Sequence, residues 1–142
     1  MRKFLSENNF TNIDFIYNNS YLHEDRIICG TKGWAVSAPT ATAQDKKMLK
    51  RENLRLELSL KEGIEKHGED KEVIVCMHYP PFNDLEETDM NFLHTMKKYN
   101  VKKCIYGHIH GEPWGGKVEG EFKGIEFDLV SSDYLDFKLK KI

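Results

Sequence analysis

The spacing of apolar residues first predicts one long helix, from about Ala41 to Lys66. Thr40 is a suitable N-cap residue for it, and Gly68 is a suitable C-terminal stop. Because the pattern ends at Gly68 after two or three heptads, we favour a helix packed on a sheet over a coiled coil. Four apolar residues recur there at close to the 3.6-residue helical period: Leu49, Leu56, Leu60 and Ile64. Leu54 and Leu58 are expected to widen this apolar stripe.

Two later segments are predicted to be buried strands joined by a helix. Val73–Met77 is apolar throughout and rich in β-branched residues, which is typical of a strand covered on both faces. A second strand is predicted over Val101–Tyr106, and between the two lies a short helix with Thr88 and Asp89 as its cap. The order strand, helix, strand predicts a parallel βαβ crossover. The apolar residues of the short helix are Phe92, Leu93, Met96 and Tyr99.

The two ends of the chain predict antiparallel strands. Near the start, Ile13–Tyr17 and Arg26–Gly30 are apolar segments separated by a turn, as in a β-hairpin. Near the end, apolar and polar residues alternate over 125–129 and 135–139, as half-buried antiparallel strands do, and Val118–Phe122 adds another strand. These elements together predict an α/β fold of mixed α+β type in a single domain of 142 residues.

Charge and composition exclude several classes of function. A formal net charge of −2 and a pI near 6.3 provide no basic surface for nucleic acid or an anionic membrane. No stretch approaches the roughly 20 apolar residues that span a bilayer, and the first residues lack the apolar core of a signal peptide. We therefore expect a cytoplasmic protein without nucleic-acid or membrane partners. Cys29, Cys76 and Cys104 are odd in number and lie in apolar runs, so reduced core thiols are favoured over disulfides.

Three of the six histidines form the strongest functional signal. His78 directly follows the first of the two predicted parallel strands, and His108 and His110 follow the second. The carboxyl ends of parallel strands meet at one edge of a sheet, where open α/β folds build their sites. Gly107 and Gly111 are expected to allow the backbone angles that aim both rings inward. Because imidazole is a common ligand of divalent transition metals, the three histidines predict a metal centre.

Two alternatives to this metal centre remain open. The three histidines could be structural residues that form hydrogen bonds at a loop-rich edge. Cys76 and Cys104 closely precede the histidines, so a structural Cys/His zinc site is a rival, although both cysteines belong to apolar runs that are expected to point into the core. His23, His67 and His94 are interpreted as ordinary histidines without a role in the site.

The order of these motifs resembles the C-terminal half of the calcineurin-like metallophosphoesterases. Val-Ile-Val-Cys-Met-His-Tyr-Pro-Pro at 73–81 is followed by a predicted helix and then by Cys-Ile-Tyr-Gly-His-Ile-His-Gly at 104–111. In that family, an isolated histidine after one strand precedes Gly-His-x-His after another. Gly30–Trp34 and Val130–Tyr134 also resemble segments of small bacterial members, and Trp34 either packs in the core or borders the substrate cleft. The resemblance implies that this chain forms part of the four-layer fold of these enzymes, a β-sandwich flanked by helices.

The same resemblance implies that the site hydrolyses phosphoesters with a pair of metal ions. His78 and His108 would ligate one metal and His110 the other, and a hydroxide would attack phosphorus in line. The metals implied are manganese, iron or zinc. The substrate implied is a phosphorylated small molecule or a phosphoprotein. No further catalytic residue is expected within this chain.

The chain departs from the family by lacking Asp-x-His, Gly-Asp and Gly-Asn-His followed by an acidic residue. Those motifs would supply the bridging aspartate, the asparagine ligand and the histidine that aids the leaving group. We therefore expect a truncated C-terminal part of a larger domain, with the N-terminal half of the fold missing. Metal would be weakly bound at most, and activity alone would be little or none. Exposed apolar sheet surface would favour association. A non-catalytic metal-binding or regulatory module and a structural Cys/His zinc domain remain the alternative functions.

Overall fold

The computed structural model describes residues 2–36, 38–82, 91–112 and 114–142, and within them it has a mixed α/β fold with three α-helices and six strands. This agrees with the predicted α/β class. The helices are α1 (Arg2–Glu7), α2 (Ala43–His67) and α3 (Phe92–Lys98), with a 3₁₀ turn at Ala38–Thr40. The strands are β1 (Tyr21–His23), β2 (Arg26–Thr31), β3 (Glu72–Met77), β4 (Lys103–Tyr106), β5 (Gly120–Phe122) and β6 (Ile125–Leu129).

The six strands form one sheet in the order β1-β2-β3-β4-β6-β5. Strands β2, β3, β4 and β6 run parallel, and β1 and β5 are antiparallel edge strands. The predicted parallel crossover through α3 is confirmed, because β3 pairs with β4 from Ile74 with Lys103 to Met77 with Tyr106. The prediction of purely antiparallel pairing over 125–129 is wrong on one side, because β6 is antiparallel to β5 but parallel to β4.

Helix α2 packs on the sheet, as its periodicity predicts. Leu49, Leu56 and Leu60 are fully buried in the core that the helix shares with the strands. Leu54 and Leu58 are 60% and 54% exposed, so the prediction that they widen the apolar stripe is wrong. No helix in the described ranges combines the length and the apolar character needed to cross a bilayer.

Both ends of α2 are capped by hydrogen bonds, as predicted, but the N-cap lies two residues later in the chain than the sequence predicts. Thr42, not Thr40, is the N-cap: its hydroxyl accepts a hydrogen bond from the Asp45 amide at 3.1 Å. The Asp45 carboxylate accepts one from the Thr42 amide at 3.0 Å, which completes a capping box. Gly68 ends the helix as predicted, and its amide donates to the Ile64 carbonyl at 2.9 Å.

Helix α3 begins nearer to its first apolar residue than the sequence suggests. Asn91 is its N-cap, and the Asn91 side chain accepts a hydrogen bond from the His94 amide at 3.2 Å. The predicted cap, Thr88 and Asp89, lies outside the described residues.

The terminal segments differ most from the sequence prediction. Ile13–Tyr17 is not a strand, and the N-terminal hairpin consists of β1 and β2 instead. At the other end, residues 132–142 form turns and irregular chain, so the predicted strand over 135–139 is wrong. Phe137 and Leu139 are 82% and 103% exposed there. Alternation alone did not produce a strand, because these residues pair with no neighbouring strand in the described sheet.

Helices of the described residues cover one face of the sheet. Both helical crossovers step in the same direction along the sheet, so right-handed connections put α2 and α3 on the same face. Consistent with this, one core contains buried residues of both helices and of every second strand position, among them Ile27, Cys29, Val75, Cys104, Phe127, Leu56 and Met96. Within the described residues, the opposite face is crossed by the last residues of the chain. Its cavity is lined by side chains that include Ile28, Ile74, Cys76, Ile105, Lys140 and Ile142.

Candidate metal centre

The three predicted histidines lie at the carboxyl edge of the parallel sheet. His78 follows β3 directly, and His108 and His110 lie in the loop after β4. The Gly107 amide donates a hydrogen bond to the His78 carbonyl at 3.2 Å, which ties the two strand ends together. All three histidine side chains are exposed to solvent. The parallel crossover therefore brings these residues to the common edge that the sequence predicts.

His78 and His108 form a close pair of imidazoles. His108 Nδ1 lies 3.2 Å from His78 Nε2, and the ring centroids are 5.0 Å apart in an edge-to-face arrangement. Without a metal, one of these nitrogens donates a hydrogen bond to the other. Two nitrogens bound to one zinc at about 2.0–2.1 Å would lie about 3.3 Å apart at a tetrahedral angle. The spacing of this pair therefore fits two ligands of one metal ion.

The loop after β4 needs unusual backbone angles at His108 and Gly111. His108 has a φ of 72° and Gly111 a φ of 77°, both in the left-handed region. Gly107 does not have a positive φ, so the expectation that both flanking glycines supply this conformation is wrong for Gly107. A left-handed residue other than glycine is uncommon, although histidine tolerates it better than most residues. The histidine itself therefore takes the strained position that turns its ring toward His78.

His110 is oriented by a carboxylate rather than by the other histidines. Its Nδ1 lies 2.7 Å from Asp133 Oδ1, and the Gly111 amide donates to Asp133 Oδ2 at 3.0 Å. Desolvation raises the pKa of Asp133, but the Gly111 amide and the His110 ring outweigh it and lower the pKa below its usual value. Asp133 is therefore an anion at neutral pH and accepts the Nδ1 proton of His110. That tautomer leaves His110 Nε2 with a lone pair for a metal.

The three histidines do not form one joint ligand group. No cluster of three or more His, Cys, Asp or Glu side chains within the described ranges is placed to hold a single metal ion. The arrangement is instead a pair, His78 with His108, beside a separately oriented His110. A pair plus a single ligand is the division that the family resemblance implies for two metals. The metal ions themselves remain a prediction.

The protonation of His78 suits a ligand. Burial lowers the pKa of His78, and the neighbouring His108, Lys32 and His110 lower it further. A histidine with a lowered pKa is neutral near pH 7, and the neutral ring is the form that binds metals.

Aromatic and cationic side chains surround the histidine pair on the side of β2. The Tyr79 ring lies 4.2 Å from the His108 ring and 4.9 Å from the His78 ring, measured between centroids. The Trp34 ring lies 6.0 Å from the Tyr79 ring, and Lys32 Nζ is near both. Trp34 is half-buried and packs against the core, which confirms the first interpretation of it, whereas a place at the border of a substrate cleft stays a prediction.

The two cysteines of the rival zinc site lie on opposite faces of the sheet. Cys104 pairs with Val75 in the ladder and is fully buried on the helix side. Cys76 pairs with Ile105 and is half-buried on the other side, so the expectation that it points into the main core is wrong. Burial raises the pKa of the Cys76 thiol to about 11 and that of Cys104 well above its ordinary value. Both thiols are thus protonated near pH 7 in the metal-free chain.

Sequence reasoning missed Asp133 and Lys32 as residues of this edge. Asp133 follows β6 and Lys32 follows β2, and both strands are parallel to β3 and β4. The interpretation of the terminal strands as antiparallel hairpins hid their carboxyl ends. The signal was present for β2, because a strand, a 25-residue helix and a second strand form another βαβ unit.

The chain was also compared with protein-family models, curated proteins and solved structures, and none of the three comparisons gives a match. The resemblance to the metallophosphoesterases therefore depends on the motifs and on the geometry of this edge alone.

Proposed function

We propose that this chain provides the histidine part of a metal-dependent phosphoester hydrolase of the calcineurin-like type. The observation that carries the proposal is the 3.2 Å spacing between His78 Nε2 and His108 Nδ1 at the carboxyl edge of the sheet. This spacing fits two imidazole ligands of one metal, and it occurs between the two motifs that carry the family resemblance.

Each histidine has a separate role in the proposed site. His78 and His108 hold one metal and His110 holds the other, and the metals are manganese, iron or zinc. Such metals polarise phosphoryl oxygens and lower the pKa of bound water. Asp133 is a positioning residue, because it accepts the Nδ1 proton of His110 and so fixes which nitrogen of the ring is free. The substrate is a phosphorylated small molecule or a phosphoprotein.

Charge limits what the isolated chain does. Two divalent cations bring four positive charges, and three neutral imidazoles bring none to offset them. Asp133 is near the histidines, but it is engaged with His110 and the Gly111 amide. The sequence has none of the three motifs that would supply the bridging aspartate and the asparagine ligand in the family. We therefore expect weak metal binding and little or no phosphoester turnover from this chain alone.

The unequal cover of the two faces of the sheet supports the proposed four-layer sandwich. Parallel sheets are usually covered on both faces, and the helices of the described residues cover only one face of this sheet. The other face presents apolar side chains such as Ile28 and Ile105 to a cavity. A second sheet packed on this face, or a partner that associates through it, would complete the cover.

Metal titration tests the proposal directly. Zinc and manganese are titrated into the purified chain by calorimetry, with the histidine ring resonances followed by NMR in the zinc series. We expect zinc to shift the rings of His78 and His108 together, and His108→Ala to abolish that binding. His94→Ala is the matched control, because His94 is also exposed but lies on α3. Zinc binding that survives both His78→Ala and His108→Ala would refute the proposed ligand pair.

The same titration distinguishes the alternative functions. A structural Cys/His zinc domain would bind nearly one zinc tightly, protect Cys76 and Cys104 from alkylation and unfold on chelation. A non-catalytic module would bind metal at the histidines and show no turnover in any context that restores the acidic ligands. Phosphatase turnover by the isolated chain in excess manganese, lost in His108→Ala, would contradict the expectation of inactivity.

A further inference from the structure

Lys32 occupies an unusual position beside the histidines. Its Nζ lies 5.7 Å from the centroid of the Trp34 ring and 5.4 Å from that of the Tyr79 ring. An ammonium group at this distance is attracted to the negative faces of both rings. The two rings therefore favour a position of the Lys32 ammonium group near both of them at the edge of the sheet.

The backbone around Lys32 is fixed by close contacts. The Tyr79 amide donates to the Lys32 carbonyl at 2.9 Å, which joins the loop after β2 to the loop after β3. Gly33 has a φ of 74°, which is in the left-handed region that favours glycine. The Trp34 indole N–H donates to the Asp45 carboxylate at 3.1 Å. This hydrogen bond anchors the Trp34 ring to the start of α2.

Lys98 provides an internal comparison. Its Nζ also lies 5.4 Å from a tyrosine centroid, that of Tyr99, but it forms an ion pair with Glu57 at 2.5 Å. In the described ranges, Lys32 Nζ has no carboxylate within 4.0 Å and no hydrogen-bond acceptor. Lys98 is therefore neutralised by Glu57, whereas Lys32 has no such partner among residues 2–36, 38–82, 91–112 and 114–142.

The positive charge of Lys32 lies next to the proposed metal ligands. Tyr79 lies close both to Lys32 and to the rings of His78 and His108. A cation beside a metal site is unfavourable unless an anion lies between them. A phosphate group has several oxygens, so it can contact a lysine and the histidine side of the edge together.

We propose that Lys32 is a phosphate-anchoring residue of this site and that it selects phosphomonoesters over phosphodiesters. This inference rests on the proposed function. A monoester carries close to two negative charges and three terminal oxygens, whereas a diester carries one charge and two such oxygens. The extra oxygen and charge give Lys32 a partner that a diester lacks. Trp34 and Tyr79 act as positioning residues, because they restrict the lysine without contacting the phosphate.

The test compares methyl phosphate with dimethyl phosphate, which differ by one ester bond and one charge. Both are titrated by NMR into the metal-free chain at about pH 8, where the monoester is a dianion. We expect Lys32→Gln to weaken methyl phosphate binding about tenfold and to leave dimethyl phosphate binding nearly unchanged. Lys32→Arg should keep most of the affinity, because it keeps the charge.

Lys98→Gln is the matched control and should change neither affinity. Equal weakening of both esters by Lys32→Gln, or no weakening of either, would overturn the inference. So would undetectable binding of methyl phosphate to the unaltered chain. The zinc titration separates this outcome from failure of the metal proposal, because Lys32→Gln should bind zinc normally. An unaltered chain that binds no zinc but still prefers methyl phosphate would refute the metal proposal alone.

Discussion

The two faces of the sheet are formed by the same strands but are covered in different ways. On one face, α2 and α3 enclose strand residues such as Ile27, Val75 and Phe127 completely. On the other, Ile28 and its neighbours line a cavity beneath an irregular tail, and buried charges replace part of the apolar contact. The difference indicates that the helix face supplies most of the stability of this chain, whereas the opposite face, which residues 138–142 cross and which is called the tail face below, is less completely covered.

Adjacent isoleucines on β2 provide the sharpest test of this difference. Ile27 is fully buried on the helix face, and Ile28 is half-buried on the tail face. We expect Ile27→Ala to lower the free energy of unfolding by about 2–5 kcal/mol, because it leaves a cavity in a packed core. Ile28→Ala should cost roughly half as much or less, since less surface is buried. Urea unfolding followed by circular dichroism measures both.

Ile27→Val provides a milder variant if Ile27→Ala fails to fold, with an expected cost of about 0.5–1.5 kcal/mol. Equal costs for Ile27→Ala and Ile28→Ala would show that the tail covers its face as well as the helices cover theirs.

A buried carboxylate on the tail face, that of Asp128, is expected to have the next largest effect on the free energy of unfolding. Asp128 is 7% exposed and lies 3.0 Å from Lys103 Nζ and 2.6 Å from Lys140 Nζ. Burial raises the pKa of Asp128, but hydrogen bonds from Lys140 and Lys103 outweigh it and lower the pKa below its usual value. A lowered folded-state pKa contributes stability that is present above the unfolded pKa of about 3.9 and is lost as pH falls through the folded value.

We therefore expect Asp128→Asn to cost about 1–3 kcal/mol at pH 7 and to flatten the loss of stability below about pH 4. Glu126→Gln is the control: Glu126 is two residues away on the same strand and also contacts Lys103, but its side chain is 56% exposed. Its removal should change the free energy of unfolding by less than about 0.5 kcal/mol. Identical pH profiles for Asp128→Asn and the unaltered chain would contradict the assigned role of Asp128.

Removal of the tail should have the smallest effect on stability but a clear effect on association. Deletion of residues 138–142 removes the Lys140 contact with Asp128 and the hydrogen bond from Arg26 to the Ile142 carbonyl. We expect a loss of about 1 kcal/mol, stronger binding of an apolar dye, and self-association that rises with protein concentration in sedimentation experiments. Lys140→Gln should reproduce the loss of stability without the association. A truncated chain that stays monomeric and binds no dye would argue against a partner on this face.

The sequence predicted the elements better than their pairing. The helical period located α2 closely, and the apolar run Val73–Met77 identified β3. The direction of β2 and β6 was not apparent, because hairpin partners adjacent in sequence masked their parallel neighbours. Pairing depends on contacts between residues distant in the chain, which local periodicity does not report.

The same limit explains which site residues were predicted. His78, His108 and His110 were found because each follows a strand whose parallel crossover was evident. Asp133 and Lys32 were not found, because they follow strands whose direction was misassigned. Leu54 and Leu58 were assigned to the core because helical spacing alone does not say how wide a buried stripe is.

The left-handed backbone of His108 has a consequence for engineering this chain. That conformation costs a residue other than glycine about 1 kcal/mol, so His108→Gly would relieve strain while it removes a proposed ligand. A library sorted only for thermal stability would thus enrich glycine or asparagine at this position and delete the histidine pair early. Stabilised scaffolds derived from this chain should therefore be selected with metal present, so that binding offsets the backbone preference.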